Sequence, residues 1–294
     1  MPEPHRFHPT ILREYDIRGI VGETLHEADA SAIGRALGTI VRRGGGQRVC
    51  VGRDGRLSSP ALARALVDGL ASTGLDVETI GLGPTPMLYF AVHHLGADAG
   101  IQVTGSHNPP SHNGFKMMLG KASFFGAAIQ ELGRIAGEGA FVTGRGEVRE
   151  RPVFEAYIDR LVQDYTGKRP LRVAWDAGNG AAGPAMQALA SRLPGEHVCL
   201  FAEVDGRFPN HHPDPTVPEN LEQLIEAVGE GGAELGIAFD GDGDRIGVVD
   251  GRGRIVFADQ LMRLLAAEVL ARHPGATIIA DVKSSDTLFA EIRR

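Results

Sequence analysis

Three times along this chain a short apolar run ends in an aspartate, a turn follows, and a helical pattern begins. The runs are Val49-Cys50-Val51-Gly52-Arg53-Asp54, Leu171-Arg172-Val173-Ala174-Trp175-Asp176 and Thr277-Ile278-Ile279-Ala280-Asp281. After them come Ser59-Pro60, then Gly178, Gly180 and Gly183, then Ser284-Ser285. Strands alternating with helices build a parallel or mixed sheet covered by helices on both faces. The expected class is α/β: repeated three-layer α/β/α domains with mixed sheets, two complete and a third partial.

Ile33, Leu37, Ile40 and Val41 recur at helical spacing until Gly44-Gly45-Gly46 ends them. Ser59 is placed to cap, and Pro60 to open, a second helix striped by Leu62, Leu66 and Leu70 and closed by Gly74. Further strands are expected at 77–80, 100–103 and 115–119. Residues 137–151, rich in Gly, Glu and Arg, read as a linker, and Gly251-Arg252-Gly253 as a second boundary. The divisions are therefore 1–150, 151–253 and 254–294. The last holds a helix at 259–271, a strand at 277–282 and a helix at 284–294. About forty residues cannot close a sheet of their own, so this third domain looks cut short.

A net charge of −7 without a basic stripe argues against a nucleic-acid partner. No run approaches the roughly 18 apolar residues of a membrane span, and the N-terminus lacks a signal-peptide core. A cytoplasmic protein is expected. Cys50 and Cys199 lie in apolar runs outside any CxxC or Cys/His cluster, which suits inert thiols better than a disulfide or zinc site.

The segment richest in chemistry is Gly236-Ile237-Ala238-Phe239-Asp240-Gly241-Asp242-Gly243-Asp244-Arg245. An apolar strand delivers three carboxylates at alternate positions, and the intervening glycines let the loop curl until they converge. Converging carboxylates repel unless a cation neutralises them. All-oxygen ligation selects a hard ion, Mg²⁺ or alternatively Mn²⁺ or Ca²⁺. An EF-hand fails, because its sixth-position Gly is Arg245 and its twelfth-position Glu is Gly251. Arg245 is poised either to hold an anionic oxygen or to pair with the aspartate loop.

Val103-Thr104-Gly105-Ser106-His107-Asn108-Pro109-Pro110 follows another strand. Its serine emerges at a sheet edge, where α/β ligands bind, on a loop stiffened by two prolines. Ser106 is a candidate nucleophile or phosphate carrier. His107 serves as a base or as a structural histidine, and Lys116 as a site cation or a solvated strand residue. Tyr15 and Arg18 are expected in a short loop ahead of the first helix.

Taken together, the chain resembles the α-D-phosphohexomutase superfamily, in its phosphomannomutase/phosphoglucomutase branch. The resemblance rests on EYDIRG at 14–19, TGSHNPP at 104–110, NGFK at 113–116, FPNHHPDP at 208–215, DGDGDR at 240–245 and DVK at 281–283. It implies phosphate moving between O6 and O1 of mannose or glucose phosphate through a hexose 1,6-bisphosphate. Ser106 would be carried as phosphoserine. Asp240, Asp242 and Asp244 would hold one Mg²⁺ together with a phosphoserine oxygen on Ser106. Arg18, His107, Lys116, Asn108 and Arg245 would surround the transferring group, with Tyr15 close by and Lys283 reaching in from the third domain. Family members continue through a complete third domain and a fourth, so the expectation is an N-terminal fragment or truncated product with impaired turnover. A haloacid-dehalogenase-type phosphatase using Asp240 as nucleophile is the enzymatic alternative. A non-catalytic fragment that binds metal or phosphosugar is the other.

Overall fold

The apolar runs at 48–53 and 171–176 become inner strands of two separate sheets in a computed structural model that describes residues 3–167 and 169–293. The first region comprises β1 (Ile17–Ile20), α1 (Glu27–Arg43), β2 (Arg48–Arg53), α2 (Ser59–Ala71), β3 (Asp76–Leu82), α3 (Thr85–Leu95), β4 (Ala99–Val103), β5 (His112–Leu119), β6 (Ala122–Ser123), α4 (Ala127–Glu138) and β7 (Val148–Glu150). Its sheet runs β1-β5-β4-β2-β3-β7, with β6 paired to β5. Strands β4, β2, β3 and β7 are parallel, whereas β5 and β1 add antiparallel edges. Leu62, Leu66 and Leu70 bury with Ile33, Leu37 and the α4 residues Ile129 and Leu132 on one face.

The second region comprises α5 (Phe154–Gln163), β8 (Leu171–Asp176), α6 (Gly183–Ala190), β9 (Gly195–Leu200), a 3₁₀ turn (Pro218–Leu221), α7 (Glu222–Gly231), β10 (Leu235–Phe239), β11 (Ile246–Asp250) and β12 (Ile255–Val256). Its strand order is β12-β11-β10-β8-β9. Leu224 and Val228 of α7 cover one face, and Met186 and Ala190 of α6 the other. The two regions share an apolar seam in which Met87, Leu88 and Val92 of α3 meet Tyr157 and Ile158 of α5 and Ala185 of α6.

Several expectations change. Ser58, not Ser59, precedes α2; the Ser59 hydroxyl instead donates to Asp54 Oδ1 at 2.5 Å. Arg18 lies within β1, buried, rather than in a loop. Residues 148–150 of the expected linker form β7, which pairs with β3. Gly251-Arg252-Gly253 is a turn inside the second sheet, because β12 follows it and pairs with β11. Finally, 277–282 is no strand: it pairs with no strand among the described residues, and Ile279 and Val282 stand at 84% and 94% exposure. The flanking helices α8 (Ala258–Arg272) and α9 (Asp286–Ile292) do form and pack together, joined by Arg263–Glu291 at 3.2 Å; Arg294 of the expected last helix lies outside the described residues. Among the described residues no helix is long and apolar enough to cross a membrane.

Candidate active site

The loop between β4 and β5 lifts Ser106 off a carboxyl strand end and holds it at φ 49°, a left-handed conformation that costs a serine energy. Its amide donates to Thr104 Oγ1 at 2.8 Å, and its buried Oγ donates to Asp240 Oδ2 at 2.8 Å. His107 Nδ1 lies 3.3 Å from the same Oγ, and Lys116 Nζ on β5 lies 3.4 Å away. The sequence left His107 between two roles; here it bridges Ser106 and Arg245, whose Nη1 is 3.4 Å from Nε2.

The second region contributes the aspartate loop after β10. One carboxylate oxygen from each of Asp240, Asp242 and Asp244 lies within 4.8 Å of the other two. Asp240 Oδ1 accepts from the amides of Asp244 and Arg245 at 3.0 and 3.1 Å. Asp242 Oδ2 accepts from Thr85 Oγ1 at 2.5 Å and from Lys116 at 2.8 Å, and Lys116 also bonds Asp244. Asp242 Oδ1, however, is buried without any partner. An unpartnered carboxylate oxygen beside two other carboxylates could take a metal ion.

The charges behave accordingly. Burial first, then Asp242 and Asp244, push the Asp240 carboxyl up to about 7. Burial opposes ionisation of Asp242 as well, but Lys116 together with hydrogen bonds from Thr85 and Ser106 outweighs it and holds that group below the usual range. Burial would lower Lys116, yet Asp242 and Asp244 raise it. Desolvation and the Arg245 charge lower His107.

Glycine makes the meeting of the loops possible. A Cβ on Gly241 would stand 2.3 Å from the Ser106 carbonyl oxygen. A cleft of about 650 Å³ opens here, walled by Tyr15, Arg18, Ser106, His107, Asn108, Lys116, Asp244 and Arg245. Arg18 Nη1 donates to Thr104 O at 2.9 Å and its Nη2 to Asp16; Asn108 Nδ2 donates to Gly105 O at 3.1 Å; Tyr15 is exposed at the rim. Lys283 does not join them. It is exposed, 3.9 Å from Asp281, and with no strand at 277–282 nothing projects it into the cleft. Sequence reasoning missed Thr85 and Arg56: each binds a loop far along the chain, and neither carries a local motif beyond Thr85-Pro86 and Gly55-Arg56.

This two-sheet α/β chain sets a serine at positive φ against a lysine and three carboxylates that could hold a metal ion. A family profile described as phosphoglucomutase/phosphomannomutase, alpha/beta/alpha domain I, matches residues 9–141, and its domain II counterpart matches 155–253. The chain belongs to the phosphoglucomutase/phosphomannomutase family. It is 49% identical over 280 residues to a phosphoglucomutase of Neisseria gonorrhoeae, covering 95% of this chain and 61% of that protein. It is 47% identical over 279 residues to a phosphomannomutase/phosphoglucomutase of Pseudomonas putida, covering 95% and 60%. A crystal structure of a Burkholderia thailandensis phosphoglucomutase/phosphomannomutase family protein superposes with a TM-score of 0.93 at 47% identity, over 98% of this chain and 64% of that one. The chain thus spans about 61% of the length of the first of these relatives.

Proposed function

We propose that Ser106 accepts and returns a phosphoryl group, and that the chain supplies the phosphoryl-transfer centre of a phosphohexomutase acting between O6 and O1 of glucose or mannose phosphate. The observation that carries this is Ser106 Oγ, 2.8 Å from Asp240 across the meeting of two loops 134 residues apart. The names of the relatives support the substrate class, and a hexose 1,6-bisphosphate is the species that would load the serine. We assign the serine loop to a first domain ending near residue 150, and the aspartate loop to a second ending after Val256.

Asp240, Asp242 and Asp244 would hold one Mg²⁺, with an oxygen on modified Ser106 as a further ligand. Bound there, the ion neutralises negative charge on the phosphoryl oxygens. Phosphorylation forms an Oγ–P bond and breaks the P–O bond to the sugar, whose oxygen leaves as a hydroxyl. Lys116, Arg18 and Arg245 line the cleft with positive charge, and fixed cations aimed at developing oxyanions lower the barrier without reorganising. Tyr15 and Asn108, in the wall of the same cleft, are assigned to the sugar phosphate. The phosphatase reading is weakened because both Asp240 oxygens are engaged, one by two amides and one by Ser106.

The test is intact-mass analysis and peptide mapping after incubation with glucose 1,6-bisphosphate and Mg²⁺. One acid-stable phosphate on Ser106 is expected. An acid-labile phosphate on Asp240 would install the phosphatase instead. Hexose phosphate bound without any transfer would make the chain a binding module.

A further inference from the structure

Arg56 has no part in the chemistry above, yet it is the largest fully buried side chain among the described residues, at 1% exposure. Its guanidinium reaches back across the chain to the serine loop. Nη2 donates to the carbonyls of Ser106 at 2.8 Å and Asn108 at 2.6 Å. Nη1 donates to those of Pro109 at 2.6 Å and His112 at 3.0 Å. Nε faces Asp54 Oδ2 at 3.3 Å, and that same oxygen accepts from the Gly105 amide at 3.0 Å. A Cβ on Gly105 would meet Nε at 2.0 Å, so the loop is shaped around this side chain. From the second region, the Phe208 ring centroid stands 5.1 Å from the guanidinium carbon.

Three carbonyls of the loop after β4 and one at the start of β5 point their negative ends at a single cation. Only the planar five-donor fork can serve them; a lysine has three donors in a tetrahedral array. One of the four is the carbonyl of Ser106 itself, so the fork fixes the peptide plane that follows the serine. A residue kept at positive φ persists only where its surroundings over-determine it. We propose that Arg56 is a positioning residue, holding Ser106 in the left-handed conformation that aims Oγ at Asp240. The proposal rests on Ser106 being the phosphoryl acceptor.

Arg56→Lys and Arg56→Met in the full chain test it by two readouts: amide hydrogen exchange, and the rate of Ser106 phosphorylation by glucose 1,6-bisphosphate with Mg²⁺. Exchange at Gly105, Ser106, Asn108 and His112 should quicken while β8 and β10 keep their protection. The phosphorylation rate should fall at least about 100-fold, as for a misplacement near 1 Å. The half-saturating bisphosphate concentration should hold, because Arg56 is enclosed behind the loop. Lysine should rescue neither readout. A lysine variant with wild-type rate and protection would reduce Arg56 to a counter-ion for Asp54 and overturn the proposal. So would faster exchange with an unchanged rate, or failure of both variants to fold, which would place Arg56 in the core's stability instead. If the wild-type chain takes up no phosphate, the functional reading fails by itself. Exchange then decides whether Arg56 holds the loop, and unchanged protection sinks the idea.

Discussion

Gly241→Ala is the sharpest probe of how the two loops meet. The new Cβ would stand 2.3 Å from the Ser106 carbonyl oxygen, and 3.3 Å from both the Ser106 carbonyl carbon and Pro213 Cγ. Ordinary contact begins at 3.4 Å, so the shortfall is 3.4 − 2.3 = 1.1 Å. Backbone strain does not contribute, since Gly241 lies outside the left-handed region. Neither side yields easily. Gly241 donates to Pro213 O at 3.2 Å and accepts from the Ala181 amide at 3.0 Å, while Arg56 grips the Ser106 carbonyl at 2.8 Å. The shortfall is therefore taken up between Ser106 and Asp240, opening their 2.8 Å contact. Overpacking of this kind costs about 1–3 kcal/mol, and a displacement near 1 Å at a reacting atom costs about a hundredfold in rate. The assay follows phosphate gained by Ser106 in mass spectrometry, beside thermal melts with and without Mg²⁺. Gly137→Ala, on a helix with nothing within 4 Å of the new carbon, is the control and should leave the rate unchanged. Wild-type rate and melting temperature in Gly241→Ala would refute the close-approach argument.

Three further outcomes follow from the charges. Asp240 titrates near 7 in the folded, metal-free chain, above its unfolded value near 4, so its ionisation removes stability as pH rises between them. Asp240→Asn should therefore melt higher than wild type in EDTA at pH 8, by more than at pH 5, and lose its response to Mg²⁺; equal melts at both pH values would contradict this. Lys116→Met leaves buried Asp242 without its cation, which should cost about 3–5 kcal/mol in EDTA, and Mg²⁺ should restore more stability than it adds to wild type, as read by urea unfolding. Burial lowers His211, but Asp176 outweighs it and the net shift is upward. That stabilisation is complete below about 6.5 and lost as pH rises through the folded value, so His211→Gln should cost more in urea melts at pH 5.5 than at pH 9.

Where chemistry and spacing coincide within a few residues, the site was legible. Asp240, Asp242 and Asp244 alternate with glycines, and Ser106 follows a strand and precedes two prolines; both readings place the side chains where the structure has them. Arg56 and Thr85 stayed hidden because their partners are a loop 50 residues on and a carboxylate 157 residues on, met only through folding. Strands β1 and β7 gave no apolar signal, one holding Arg18 and Gly19 and the other the exposed run Val148-Arg149-Glu150. The opposite error occurred at 277–282, where an apolar run met no strand to pair with. Strand preference is largely a preference for a packed, half-buried surface, and there none is offered.

The seam between α3 and α5 has a reach beyond packing. Ser106 sits on a loop of one sheet and Asp240 on a loop of the other, and the apolar seam adds to the hydrogen bonds that Thr85 and Lys116 make to Asp242 across the same junction. Attraction across such a seam is mostly entropic near room temperature and fades on cooling. Any affinity of the three aspartates for a metal ion would therefore include free energy of joining the two halves. A lesion at Leu88 or Ile158, remote from Ser106 and Asp240, would surface as a looser meeting of the two loops in a chain whose sheets both remain folded.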